Sequence, residues 1–301
     1  MSNLALLAAA FAAGILLRRT GRFPDITPLA LNGFVIHVSL PALTLLHVHR
    51  LKLDRTLVLT ALMPWVFFGA AWVVYRLVGG AMKLPKRTVG ALILVTGLGN
   101  TSFVGLPMIE AFYGKEWLGV GVVADQLGSF LALSTVGILT ATAYSTGAAS
   151  PRELLRRIVL FPPFQALVLA VLLRPFAYPD VAVSVLQKLG DTLTPLALAS
   201  VGFQLRFRVA PGVGRPLVLG LLYKLLLGPA IVALLYVVLI GASGPVIQVT
   251  IFEAAMAPMI TAGIIAIDHD LDPPLVTLLL GVGIPLSFLT LAGWWWLLRG
   301  V

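Results

Sequence analysis

Thr96-Gly97-Leu98-Gly99-Asn100-Thr101-Ser102-Phe103-Val104-Gly105-Leu106-Pro107 is the stretch on which the fold turns. It lies within an apolar run from about residue 88 to 113, yet it carries three glycines, a proline and an Asn-Thr-Ser triplet. Proline has no backbone donor and clashes with the carbonyl one turn back, so a helix through this run is expected to break. In lipid a break is tolerated only where the freed backbone groups meet protein or a watery cavity, and paired breaks mark binding sites in inverted-repeat transporters. The competing reading is packing alone: glycines bring helices close, and the polar triplet bonds back to its own carbonyls.

A second interrupted run, Glu253-Ala254-Ala255-Met256-Ala257-Pro258-Met259-Ile260-Thr261-Ala262-Gly263, has the same character. Two further prolines align with this pair, in Ser39-Leu40-Pro41-Ala42-Leu43 and Leu193-Thr194-Pro195-Leu196-Ala197. Pro41 precedes Pro107 by 66 residues and Pro195 precedes Pro258 by 63. Matching motifs in the same order at near-equal spacing point to two related halves.

The surrounding composition sets the environment. Of 301 residues 59% are hydrophobic and only 11% charged, against roughly 25% charged in a soluble domain, and the mean hydropathy is +1.01. This chain could not coat a water-soluble surface. Ten apolar spans are predicted, at about 3–17, 27–47, 56–79, 88–113, 117–143, 158–177, 181–204, 216–240, 245–267 and 274–298, all helical because lipid cannot satisfy open backbone groups. The expected fold is an all-α membrane protein of ten helices in two five-helix halves, 1–143 and 158–301, joined by a linker at 144–157. An odd number of spans per half inserts the second half upside down, with broken helices four and nine.

The net charge of +9 would suggest nucleic acid in a soluble protein, but here the basic residues fall between the spans, so no nucleic acid partner is expected. Thirteen lie on the side reached after span one, including Arg76, Lys86, Arg156, Arg206 and Arg208. Six, among them Lys52 and Lys115, lie on the other, and Lys188 and Lys224 fall within spans. The positive-inside rule makes the richer side cytoplasmic and both termini external, as in a protein of the bacterial inner membrane. The start Met1-Ser2-Asn3 has no basic region ahead of the first apolar run, so that run is expected to be retained. With no cysteine, thiolate chemistry is excluded, and no nucleophile, phosphate-loop or metal-ligand spacing suggests an enzyme or a resident cofactor.

Ionisable residues within spans are costly and need a job or a partner. Glu253 is a candidate sodium ligand or proton-titrating acid, against a neutral glutamic acid that serves packing. Asp125, with Gln126 and with Ser129 one turn on, is a second coupling candidate, and Lys224 either snorkels, attracts an anion or pairs with an acid such as Asp125. Lys188 and Asp191 suit an intrahelical pair, His37 reads as a locally satisfied histidine, and Glu110 is expected to face water. Trp294-Trp295-Trp296 is expected to anchor the last span at the membrane interface.

At Leu31-Asn32-Gly33-Phe34-Val35, Leu40-Pro41-Ala42-Leu43, Gly99-Asn100-Thr101-Ser102-Phe103-Val104-Gly105-Leu106-Pro107, Lys224-Leu225-Leu226-Leu227-Gly228-Pro229 and Glu253-Ala254-Ala255-Met256-Ala257-Pro258, the chain resembles the auxin efflux carrier family. The resemblance runs through all ten spans. It implies a scaffold of spans one, two, six and seven, usually dimerising, and a mobile core of spans three to five and eight to ten. Spans four and nine would cross at Pro107 and Pro258, with a small organic anion, typically a carboxylate, bound beside them. Asn100 then looks like the carboxylate-contacting asparagine, and Glu253 like the sodium-binding glutamate of the more distant bile acid symporters. The expected substrate site is Asn100, Thr101, Ser102, Pro107, Pro258, Met259 and Thr261. The expected coupling site is Glu253, Asp125, Gln126, Ser129 and Lys224, taking sodium or a proton, with no firm metal site beyond a sodium at Glu253. The resulting expectation is a secondary transporter of organic anions working by alternating access, with a channel-like facilitator as first rival and an intramembrane enzyme as second.

Overall fold

The computed structural model describes residues 2–51, 55–145, 151–205 and 213–301. These residues are helical throughout, with no strand beyond a single isolated bridge. Lys52, Arg206 and Arg208 of the charge count, and the linker stretch 146–150, lie outside the described residues.

Among the described residues, five helices are long and apolar enough to cross a bilayer: α2 (Thr27–His49), α3 (Arg55–Ala81), α6 (Lys115–Tyr144), α11 (Gly214–Leu239) and α14 (Pro273–Leu298). The rest of the expected spans are built from shorter pieces. The first is α1 (Ser2–Arg19), and span four is α4 (Lys86–Thr96) followed by α5 (Thr101–Phe112). The amphipathic α7 (Pro151–Val159) leads into α8 (Pro162–Leu172). Span seven is divided into α9 (Asp180–Gly190) and α10 (Leu193–Gln204), and span nine into α12 (Pro245–Ala254) and α13 (Ile260–Asp268).

The helices pack in two sets. In one, α2 is flanked by α8, α9 and α10, and α10 lies along α1. Small residues permit that last approach: a Cβ on Gly14 would stand 2.0 Å from the Ala199 carbonyl oxygen, and one on Gly202 would stand 2.2 Å from that of Phe11. Close backbone contact through small residues is how helices associate where lipid removes the hydrophobic drive. In the other set, α3 packs on α6, α11 and α12, while α4 packs on α3, α6, α13 and α14. Its interior is tied by buried hydroxyls, with Tyr75 against Thr96 at 2.6 Å and Thr60 against Thr250 at 2.7 Å.

The position of the first break differs from the expectation. α4 ends at Thr96 and α5 starts at Thr101, so the interruption is Gly97–Asn100, and Pro107 lies buried inside α5. Pro107 follows a wide π-helical turn over Thr101–Gly105, which interrupts the i→i−4 ladder that its ring would otherwise disrupt, whereas Gly97 is required, since a Cβ there would stand 2.2 Å from the Ile93 carbonyl oxygen.

Candidate functional site

The two broken helices meet at their interruptions. Gly99 and Pro258 form an antiparallel bridge, the Asn100 amide donates to the Ala257 carbonyl at 2.9 Å, and the Met259 amide donates to that of Val95 at 3.4 Å. The contact point is therefore Gly99 with Pro258 rather than Pro107 with Pro258. The chain leaves this contact into two helix N-termini: Asn100 caps α5, its Oδ1 accepting from the Phe103 amide at 3.2 Å, and Met259 precedes α13 without a side-chain cap.

Both N-termini open on a cavity of about 410 Å³ between the two helix sets. From the breaks come Asn100, Ser102, Met259 and Thr261, four of the seven expected substrate residues. Thr101 turns away to donate to Asp125 Oδ1 at 2.6 Å. Pro107 and Pro258 are absent from the lining, and Pro258 packs instead against α14, where a Cβ on Gly283 would stand 2.7 Å from its ring. The Asn100 amide nitrogen is buried and has no hydrogen-bond partner.

The opposite wall comes from the other helix set, through Asn32 and His37 of α2 and Gln204 of α10. His37 is locally satisfied as expected, its Nδ1 lying 2.9 Å from the Gly33 carbonyl oxygen, and it also faces the cavity. Asn32 Oδ1 accepts from Ser200 at 2.5 Å. The lining runs from the breaks toward the α7 end, reaching Leu160, Phe161 and Pro162, where Phe161 stacks on Phe130 with centroids 3.8 Å apart.

The expected coupling residues divide among three places. Asp125, fully buried, accepts from the hydroxyls of Thr101 and Ser102 and lines the large cavity. Behind the break, Glu253, Lys224, Ser129 and Thr101 line a separate cavity of about 10 Å³. Both Glu253 carboxylate oxygens are buried without a partner, as is the Ser129 hydroxyl. Glu253 reaches this place because α5 has glycine opposite it: a Cβ on Gly105 would stand 2.5 Å from its Oε2. Lys224 is fully buried, so it does not snorkel; its ammonium donates to the Ala254 carbonyl at 3.1 Å and lies 4.1 Å from the centre of the Phe67 ring. Gln126 stands apart, donating to Thr44 of α2 at 2.7 Å. No group of three His, Asp or Glu able to hold a metal ion occurs among the described residues.

A second polar cluster lies at the end of the molecule away from α7, and it differs from what local spacing implied. Lys115, at the start of α6, reaches Asp191 Oδ1 at 2.6 Å and Glu110 at 3.6 Å. Asp191 also accepts from Gln187, and Glu110 from Thr194 at 2.8 Å. Asp191 is thus paired across the two helix sets rather than with Lys188, because α9 ends at Gly190 and the next residues turn before α10. Glu110, expected in water, is mostly covered.

Comparison with known proteins identifies relatives along nearly the whole chain. The chain is 28% identical to an uncharacterized transporter of Methanothermobacter thermautotrophicus, over 93% of this chain and 92% of the relative. It is 25% identical to an uncharacterized transporter of Methanocaldococcus jannaschii, over 89% of each. Residues 1–295 match the family described as membrane transport protein, and with nearly its whole length covered the chain belongs to that family, the auxin efflux carriers, as an integral membrane transport protein and not an enzyme.

Proposed function

We propose that this protein is a secondary transporter of small organic anions, carboxylates above all, which bind in the 410 Å³ cavity at the paired helix breaks. The observation that carries the reading is the convergence of two helix N-termini and the unpartnered Asn100 amide on that one cavity. Helix N-termini present free amide donors and a partial positive charge, and an asparagine NH₂ supplies two more donors. Asp125 Oδ1 is engaged by the Thr101 and Ser102 hydroxyls, which ties the first turn of α5 to α6 beside the site.

In this account α1, α2, α8, α9 and α10 form the scaffold, whose outer face is the proposed surface of a homodimer. The remaining helices move against it as an inverted-repeat core in a ten-span protein. The α7 end is cytoplasmic in the bacterial inner membrane, and the Lys115 cluster closes the external side. A cavity lined toward α7 and an ion-paired seam at the opposite end support a cytoplasm-open state of an alternating-access cycle. For the coupling ion, the small cavity behind the break favours a proton on Glu253 over sodium. Its lining already includes the Lys224 ammonium beside Glu253, a cation that repels a second one.

A thermal-shift screen of mono- and dicarboxylates, with and without sodium across pH, tests the reading. A specific ligand stabilises by mass action, about 2.7 kcal/mol at a hundredfold excess over Kd. Stabilisation by carboxylates, and not by the matching amides or amines, is expected. A screen in which cations or neutral compounds stabilise and carboxylates do not would overturn it.

A further inference from the structure

A further cavity lies apart from the helix breaks. It is a groove of about 780 Å³ on the lipid-facing side of the second helix set, between α3, α4 and α6. Its walls are Trp65, Phe68, Trp72, Val136 and Leu139, and its floor opens at Gly69, whose position has no atom within 4 Å of a built Cβ. Trp65 is held in place by donating its indole N–H to the Leu127 carbonyl.

One end of the groove is basic. Arg76, one turn beyond Trp72 on α3, and Lys86, at the start of α4, both line it and are both exposed. No acidic residue lines the groove. The Arg76 guanidinium sits 4.6 Å from the centre of the Trp72 ring, an arrangement that holds the cation at the mouth and leaves its donors free for a phosphate. Arg87 is already engaged by Asp270, so it does not compete for the same ligand. An apolar trough with two unpaired cations at its membrane-surface end has the chemistry of a phospholipid carrying a net negative headgroup. A zwitterionic lipid would bring its own cation against Arg76 and Lys86, and a soluble phosphate would leave the aromatic walls uncovered.

We propose that this groove binds one anionic phospholipid, with its acyl chain along Trp65, Phe68 and Leu139 and its phosphate between Arg76 and Lys86. Because α3 and α6 form its two long walls, the lipid bridges helices that contact each other beside Asp125.

The test is competition between phosphatidylglycerol and phosphatidylcholine of identical chains for the purified full-length protein, read as bound adducts by native mass spectrometry. Two basic side chains near the headgroup correspond to a preference of about 30-fold for phosphatidylglycerol. R76Q/K86Q is expected to bring that preference close to unity, whereas R22Q/R215Q, which removes two exposed cations elsewhere, is expected to keep it. G69L fills the trough without touching a charge and is expected to reduce total adduct with either lipid. Glycerol phosphate, the headgroup without chains, is expected not to displace the bound lipid. Equal binding of the two lipids by wild type, an unchanged preference in R76Q/K86Q, or an unchanged adduct in G69L would each overturn the proposal. So would loss of self-association in these variants at constant lipid binding, which would make the groove an interface between copies of the chain.

Discussion

Lys115→Gln separates the two helix sets at one point while leaving both intact. The lysine bonds Asp191 at 2.6 Å and lies 3.6 Å from Glu110, with side-chain exposures of 46%, 45% and 20%. Exposed pairs of this kind contribute about 0.2–1 kcal/mol; of the two, only the bond to Asp191 crosses between the helix sets, and its 2.6 Å length places it near the upper figure. A contact made only when the external side is closed biases the closed state by its full value. Its loss is therefore expected to raise the externally open population about fivefold. The chain has no cysteine, so a single one at Ala197, fully buried one turn below Thr194, reports that opening through an impermeant maleimide. Labelling is expected to speed up about fivefold in Lys115→Gln and similarly in wild type at high salt, which screens the pair. Asp191→Asn added to Lys115→Gln is expected to contribute little, since both remove the same contact. An unchanged labelling rate, or two effects that add in full, would refute the assignment of this cluster as a closure between the helix sets.

Three further expectations follow from the inner site and the topology. Glu253→Gln keeps size while removing the titratable carboxyl, so it is expected to bind carboxylate yet lose gradient-driven accumulation in proteoliposomes while retaining passive exchange; accumulation lost in Asp125→Asn but kept in Glu253→Gln would move coupling to Asp125. Gly105→Ala introduces a methyl 2.5 Å from Glu253 Oε2, and it is expected to reproduce the Glu253→Gln phenotype with little change in melting temperature, because the helix gains about 0.5–1 kcal/mol from the substitution; full coupling in this variant would mean the carboxylate position is unimportant. A cysteine at Arg156, exposed on α7, is expected to resist impermeant reagents in intact cells, and ready labelling from outside would invert the orientation.

How far the sequence alone reached depends on the kind of contact involved. The breaks were legible because glycine, proline and polar residues in an apolar run have few other physical meanings in lipid. Their location shifted from Pro107 to Gly97–Asn100, since the steric demand comes from glycine packed on backbone, while Pro107 is accommodated by the wide turn Thr101–Gly105 ahead of it. The buried acids were also legible as costly residues. Their partners were not: Thr101 and Ser102 reach Asp125 from another helix, and spacing along one helix says nothing about what faces it. The same limit explains Asp191, where the three-residue spacing to Lys188 suggested a local pair but the end of α9 at Gly190 turns the carboxylate toward Lys115. Asn32 and Gln204 gave no signal of lining the cavity, and His37 gave only that of a local hydrogen bond.

The most direct measurement is the carboxylate affinity of purified Asn100→Ala against wild type, by calorimetry with the best ligand of the thermal-shift screen. Hydrogen bonds to a charged group contribute about 1.5–3 kcal/mol, so the account predicts that the variant stays folded and binds roughly 10- to 150-fold more weakly. Unchanged affinity in a folded Asn100→Ala would contradict the placement of the anion site at the paired helix breaks.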